Sequence, residues 1–196
     1  MLAAAILAAG ESRRMGRPKA LLDYHGKTFV EHLAEVTRHP RVGVLLVVLG
    51  AKAEEIRSRL RGMDPARFVV NGDWQSGQLS SIHAAIRSLP VGETEGLMLC
   101  PVDHPIISSE VVVQIIAAFD SSDKAIVVPT FGGRRGHPVI FRSSLYDELL
   151  AASPDVGARQ VVWAHRDDVI EVPTSEEGVI LNLDDPEAYQ RAMQKA

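Results

Sequence analysis

Residues 2–19 read Leu2-Ala3-Ala4-Ala5-Ile6-Leu7-Ala8-Ala9-Gly10-Glu11-Ser12-Arg13-Arg14-Met15-Gly16-Arg17-Pro18-Lys19. The apolar run Leu2–Ala8, closed off at Gly10, has the length and bounds of a buried strand that feeds a loop. Glycines in such a loop let backbone N–H groups approach phosphate oxygens, and Arg and Lys supply matching charge. A loop between a strand end and the following helix is also where open α/β sheets bind their ligands. The same composition suits a basic surface turn, so the loop alone supports nucleotide binding and nothing narrower. Neither G-x-x-x-x-G-K-[ST] nor G-x-G-x-x-G is present: five residues separate Gly10 from Gly16, and Arg17 follows. The second absence counts against a dinucleotide-binding oxidoreductase.

Outward from this stretch, apolar runs alternate with helical patterns. Val42–Leu49 is apolar on both faces, as in a parallel sheet covered by helices. Further strands are expected at Phe68–Val70, Leu97–Cys100, Ala125–Pro129, Pro138–Phe141, Val169–Val172 and Val179–Leu181. Helices are expected at Thr28–Arg38, Ala53–Arg61, Ser80–Ser88, Ser109–Ala118 (capped by Ser108 or Ser109), Leu145–Ala152, Asp155–Trp163 and Pro186–Gln194. This alternation predicts an α/β fold in three layers, α/β/α, around a mostly parallel mixed sheet. No repeat or linker divides residues 1–196, which predicts one domain, and Gly132–Gly136 is expected to be a mobile loop.

The whole-chain properties narrow the partners. The formal charge is −4 over 196 residues, whereas a nucleic-acid binder normally carries a basic excess. Local cations (Arg13-Arg14, Arg17, Lys19 and Arg134-Arg135) suit a small anion better than a long polyanion. Cys100 is the only cysteine, so an internal disulfide and a cysteine-rich zinc site are excluded. It lies in an apolar run and reads as a buried strand residue. Met1–Ala9 lacks the basic start of a signal peptide, and no apolar run approaches the roughly 20 residues of a membrane span. A cytoplasmic protein with no membrane partner is expected.

The loop fills every fixed position of L-A-[AG]-G-x-S-x-R-M-G-x-x-K and so resembles the MobA-like NTP transferase family, closest to its molybdopterin cytidylyltransferases. Further segments resemble that family in order: Gly77-Gln78-Leu79-Ser80-Ser81-Ile82, Pro101-Val102-Asp103-His104-Pro105, Gly133-Arg134-Arg135-Gly136-His137-Pro138, Asp155-Val156-Gly157-Ala158-Arg159 and Asn182-Leu183-Asp184-Asp185-Pro186-Glu187. Pro154 stands where the family usually has glycine, and Asn182 and Asp185 replace the usual Asp and Thr. Each segment also has a purely structural reading: helix cap, turn former, surface arginine turn, or Asp-Pro helix start.

The resemblance implies a Rossmann-like nucleotidyltransferase fold with an NTP-binding half of about residues 1–105 and an acceptor-binding half of about 106–196. It implies catalytic roles for Arg14, Lys19 and Asp103. Nucleotide binding would fall to Leu7, Ala8, Ala9, Gly10, Ser12, Arg13, Gly16, Gly77, Ser80 and Ser81, and acceptor binding to Arg135, Gly136, His137, Asp155 and Arg159. Mg²⁺ would be held by Asp103 and Asp184, with Asn182 or Asp185 as alternatives to the latter. Apart from the resemblance, His83 reads either as surface or, with Trp74 and His104, as a candidate border of the acceptor pocket. The implied reaction is CMP transfer from CTP to molybdopterin with release of pyrophosphate, and a client molybdoenzyme is a transient partner. The rivals are a guanylyl- or sugar-phosphate nucleotidyltransferase, a Rossmann-like oxidoreductase, and a non-catalytic cofactor-binding protein.

Overall fold

All seven residues of Leu2–Ala8, strand β1, are buried. In the computed structural model, which describes residues 1–60, 63 and 67–195, β1 lies mid-sheet between two parallel partners. The chain continues through a small hairpin, β2 (Asp23–Tyr24) and β3 (Lys27–Thr28), then α1 (Phe29–Val36), β4 (Val42–Leu49), α2 (Ala53–Arg59) and β5 (Phe68–Val70). It proceeds through α3 (Gln78–Arg87), β6 (Gly96–Pro101), α4 (Ser109–Asp120), β7 (Ile126–Phe131), β8 (Arg134–Arg135) and β9 (Val139–Arg142). Then come α5 (Tyr146–Ala151), α6 (Arg159–Ala164), β10 (Val169–Pro173) and α7 (Pro186–Lys195).

The main sheet has the order β10-β7-β9-β6-β1-β4-β5, with β8 paired to β7. Every pairing is parallel except those made by β9 and by the short β8. After β1 the chain winds outward through β4 and β5, then returns to lay β6 on the other side of β1. The sheet therefore changes winding direction between β1 and its neighbours, which opens a crevice at their carboxyl ends.

Because both faces of β1 are covered, its side chains divide by parity. Leu2, Ala4, Ile6 and Ala8 join the core beneath α1, α4 and α7, with Phe29, Leu33, Ile115 and Phe119. Ala3, Ala5 and Leu7 join the opposite core beneath α3, α5 and α6, with Leu79, Ile82, Leu149 and Val161. The expected three layers are thus present.

Local chemistry explains the boundaries. Thr28 caps α1 through a reciprocal box: its Oγ1 accepts from Glu31 N at 3.2 Å, and its own N–H donates to Glu31 at 2.8 Å. Ser108 caps α4, accepting from Glu110 N and Val111 N. The β2–β3 hairpin, absent from the sequence expectation, turns on His25 and Gly26 with φ of 52° and 82°, the paired positive angles of a tight hairpin turn.

Two expectations need correction. Val179–Leu181 is not a strand: Glu177–Ile180 forms a 3-10 turn. Gly178 is wedged so close that a Cβ would lie 1.6 Å from the Ile106 carbonyl oxygen, and Val179 O accepts from His137 N at 2.8 Å. The segment packs against β7 and β8 without adding a strand to the sheet. The helix expected at Asp155–Trp163 begins only at Arg159, because Gly157 (φ 72°) holds a turn before it. Arg61, the expected end of α2, lies outside the described residues.

Candidate active site

The crevice at the carboxyl ends of β1 and β6 contains a cavity of about 330 Å³. Leu7 pairs with Pro101 across these strands, so the loop after β1 and the segment after β6 leave the sheet side by side. Leu7, Ala8, Ala9, Gly10, Ser12, Arg13, Arg14 and Lys19 line the cavity from one side, and Gly77, Ser81, Asp103 and Asp184 close it. Twelve of the expected nucleotide, catalytic and metal positions thus meet in one place. Gly16 and Ser80 do not line it.

The first loop is held by its own backbone. Ser12 has φ 57°, and its hydroxyl accepts from Lys19 N at 3.0 Å, closing the loop upon itself. Gly16 ends the short 3-10 turn Arg13–Met15 in the left-handed region, a conformation that glycine adopts without steric cost. Ala9 O accepts from Ala51 N at 2.9 Å, tying the loop to the end of β4. At Gly50 a Cβ would meet Trp74 Cβ at 2.5 Å and Ala9 O at 2.7 Å, so glycine permits Trp74 to close over the loop.

Charge is concentrated on one side. Lys19, whose side chain is only 12% exposed, forms a salt bridge with Asp184, and its Nζ lies 3.7 Å from Asp103 Oδ2. Arg14 reaches Asp184 Oδ2 at 3.1 Å. Burial alone raises the Asp184 pKa, but the Lys19 ammonium and Arg14 guanidinium outweigh it and hold the carboxyl below the usual carboxylate range. Asn182 Nδ2 donates to Asp103 Oδ2 at 3.2 Å, and Leu183 N donates to Asp103 O at 2.8 Å. The segment before α7 is thereby fastened to the end of β6, bringing together two carboxylates 81 positions apart in sequence numbering (184 minus 103).

Asp103 and Asp184 form a hard-oxygen donor pair. Among the described residues no group of three or more His, Cys, Asp and Glu is arranged to hold a metal. Two carboxylates without a full cage suit a divalent cation that keeps waters and phosphate oxygens in its shell, as Mg²⁺ does.

The Gly77 turn is supported by a residue with no place in the sequence expectation. Asn71, 5% exposed at the end of β5, donates to Ser80 Oγ at 2.8 Å and Ser81 Oγ at 3.1 Å. Its own Oδ1 accepts from Asp73 N, and Ser80 Oγ donates to Gly77 O. Ser80 is therefore a buried brace, whereas Ser81 reaches the cavity. The only sequence signal for Asn71 was a polar residue directly after an apolar strand.

A second cavity, of about 550 Å³, shares Leu7, Gln78 and Pro101 with the first. All five expected acceptor positions, Arg135, Gly136, His137, Asp155 and Arg159, line it. The floor is apolar, with Leu99, Ile126 and Phe141 from three strands. Arg135 is tethered to Glu171 at 2.7 Å. A Cβ on Gly136 would lie 2.3 Å from Val179 O, so glycine is needed for this close crossing. The His137 ring packs against that of His104, centroids 4.6 Å apart. Burial, reinforced by His104 and Arg159, pushes the His137 pKa down to about 3. Burial also lowers that of His104, against the pull of Asp103 and Asp184.

The other expected neighbours of this cavity are elsewhere. Trp74 lines the first cavity. His83 bonds the Leu149 carbonyl and lines neither, and His104 reaches the second only through His137. Cys100 is buried, its thiol pushed up to about 12, which leaves no nucleophile there. No helix among the described residues is long and apolar enough to cross a membrane.

Comparison with known proteins identifies the family of the chain. Residues 4–169 match the family model of the MobA-like NTP transferase domain. Molybdenum cofactor guanylyltransferase of Shewanella sp. (strain ANA-3) is 27% identical over 191 residues, 96% of this chain and 93% of that one. Nicotine blue oxidoreductase of Paenarthrobacter nicotinovorans is 35% identical over 166 residues, 79% and 78% of the two chains. Crystalline Rv0371c from Mycobacterium tuberculosis superposes with a TM-score of 0.86 at 27% identity, covering 98% of this chain and 97% of that one. The same protein complexed with manganese superposes with a TM-score of 0.80 at 26% identity, covering 100% and 99%. A match spanning most of the chain makes this protein a member of the MobA-like NTP transferase family and a nucleotidyltransferase.

Proposed function

We propose that this enzyme transfers CMP from CTP to molybdopterin, releasing pyrophosphate and forming molybdopterin cytosine dinucleotide. The observation that carries the reading is the junction of two cavities, one cationic and one apolar with arginines at its lip, along the shared wall of Leu7, Gln78 and Pro101. The first is read as the nucleotide site, built from residues 1–105 with Asp184, and the second as the acceptor site, built from residues 126–163 with Leu79, Ile82 and Leu99 beside the shared wall.

In this reading Arg14 and Lys19 exchange Asp184 for the β- and γ-phosphates, neutralising the charge that grows on departing pyrophosphate. Asp103 and Asp184 would hold Mg²⁺. The metal supplies Lewis-acid polarisation of the phosphate oxygens. Gly10 and Ser12 position backbone donors along the triphosphate, and Ser81 and Gly77 border the nucleoside. Arg135, Arg159 and Asp155 orient the acceptor so that its phosphate oxygen faces the α-phosphorus in line. An ionised phosphate is already a nucleophile, so positioning and neutralisation carry the rate and no Ser/His/Asp set is required.

Ala9 supports CTP: its methyl lines the nucleotide cavity where guanylyltransferases typically carry a second glycine. A molybdoenzyme that receives the product fits as a transient partner. Cytoplasmic location accords with the lone buried thiol.

The test is pyrophosphate release from CTP, and separately GTP, with Mg²⁺ and molybdopterin. Turnover with CTP and its loss in Asp103→Ala are expected; consumption of GTP alone overturns the base assignment. A second reading, an oxidoreductase, rests on the 35% identical nicotine blue oxidoreductase. NAD(P)H oxidation coupled to stoichiometric reduction of nicotine blue, without pyrophosphate release from any NTP, would establish it instead.

A further inference from the structure

Trp163 is 57% exposed and Val156 38% exposed, which places them among the few large apolar residues left open on this protein. Both line the second cavity. The core does not use either one: α6 packs inward through Val161, only 2% exposed, and the partly buried Val162. Arg159, Val162 and Trp163 stand three and four positions apart, so they share one helix face, and all three line the cavity. Large apolar surface kept exposed inside a concavity marks a place where a ligand supplies the missing contact.

We propose that Trp163, with Val156, is the stacking platform for the planar, conjugated part of the acceptor's fused pterin ring. Residues four apart on a helix have Cβ atoms roughly 5–6 Å apart. Arg159 and Trp163 therefore present a cation beside an indole face, complementary to a molecule carrying an anionic group beside a flat ring. An indole offers its broad face to another π-system with offset-stacked geometry. The apolar floor of Leu99, Ile126 and Phe141 can take up a ring's apolar surface, while Arg135, Asp155 and Arg159 on the same cavity can meet polar groups. This inference rests on the acceptor-site reading above and deepens it.

The chain has two tryptophans, and the structure places one in each cavity. In full-length Trp74→Phe the remaining indole is Trp163, and 6-hydroxymethylpterin is expected to quench its emission saturably. In Trp163→Leu the remaining indole is Trp74, whose response to CTP with Mg²⁺ reports an intact nucleotide site. Trp163→Leu is expected to raise the KM for molybdopterin about tenfold, the scale of one lost ring stack, with kcat and the KM for CTP unchanged. Trp163→Phe, which keeps an aromatic face, is expected to restore most of that affinity. An unchanged KM in Trp163→Leu, or pterin addition without quenching in Trp74→Phe, overturns the platform. CTP response at Trp74 alongside that failure leaves the nucleotidyltransferase reading standing. Pterin quenching without CTP turnover keeps the platform and overturns the cytidylyl reading.

Discussion

Lys19 carries the most constrained charge in the site: its side chain is 12% exposed and touches both carboxylates. Burying an ammonium costs desolvation that its partners must offset, so a lysine held this way is poised to trade carboxylate for phosphate. Lys19→Met keeps similar bulk and removes the charge. Turnover is expected to fall about a hundredfold or more, the scale reported for losing a preorganised charge stabiliser. The Asp184 carboxyl is expected to titrate closer to its ordinary 3.8, because its principal cation is gone. Carboxyl-resolved NMR titration checks the second outcome independently of activity. An Asp184 titration identical in wild type and variant would mean that the salt bridge does not govern this carboxylate.

At the scale of elements, the entry into α3 depends on β5 through Asn71. The amide satisfies two serine hydroxyls in a buried setting, where losing the donor leaves acceptors unpaired. Asn71→Ala is expected to cost about 1–3 kcal/mol of stability, read from denaturant midpoints. Because the same braces set the Gly77 turn, the KM for CTP is expected to rise severalfold with kcat nearly unchanged. Asn71→Asp, which keeps the shape and the carbonyl-type acceptor but loses the donating NH₂, is expected to behave like the alanine variant and not like wild type.

Across the whole molecule, the stacked pair of His104 and His137, the latter on the wall of the second cavity, links fold to pH. His137 ordinarily titrates near 6.5 but is held at about 3 by burial. Between these values the unfolded chain binds a proton that the folded chain refuses, so stability is full above 6.5 and falls with acidification through that window. His137→Phe removes the group, and its loss of stability between about pH 7 and about pH 4 is expected to be shallower than that of wild type. Urea midpoints across that range measure the difference. Parallel slopes for the two proteins would show that His137 is not the titrating group.

Much of this was legible in the chain itself. An apolar run such as Leu2–Ala8 reads as buried on both faces, and the glycine-rich, cationic loop after it as suited to an anion or to a basic surface turn, since these follow from local chemistry and period. The caps at Thr28 and Ser108 are likewise local hydrogen-bond chemistry. The family pattern added the order of the site segments, Asp103 and Asp184 included. What needed the tertiary structure was every relation between distant segments. Val179 and its neighbours have a strand's composition, yet packing against Ile106 and His137 turns them instead, because contact at Gly178 leaves no room for an extended path. Asn71, Trp74 and Trp163 carry no pattern of their own. The cavity that Trp74 or Trp163 faces, and the hydroxyls that Asn71 satisfies, depend on how β5, α3 and α6 settle against the sheet. Composition and period set what each segment seeks, whereas only the closed sheet decides which partner it finds.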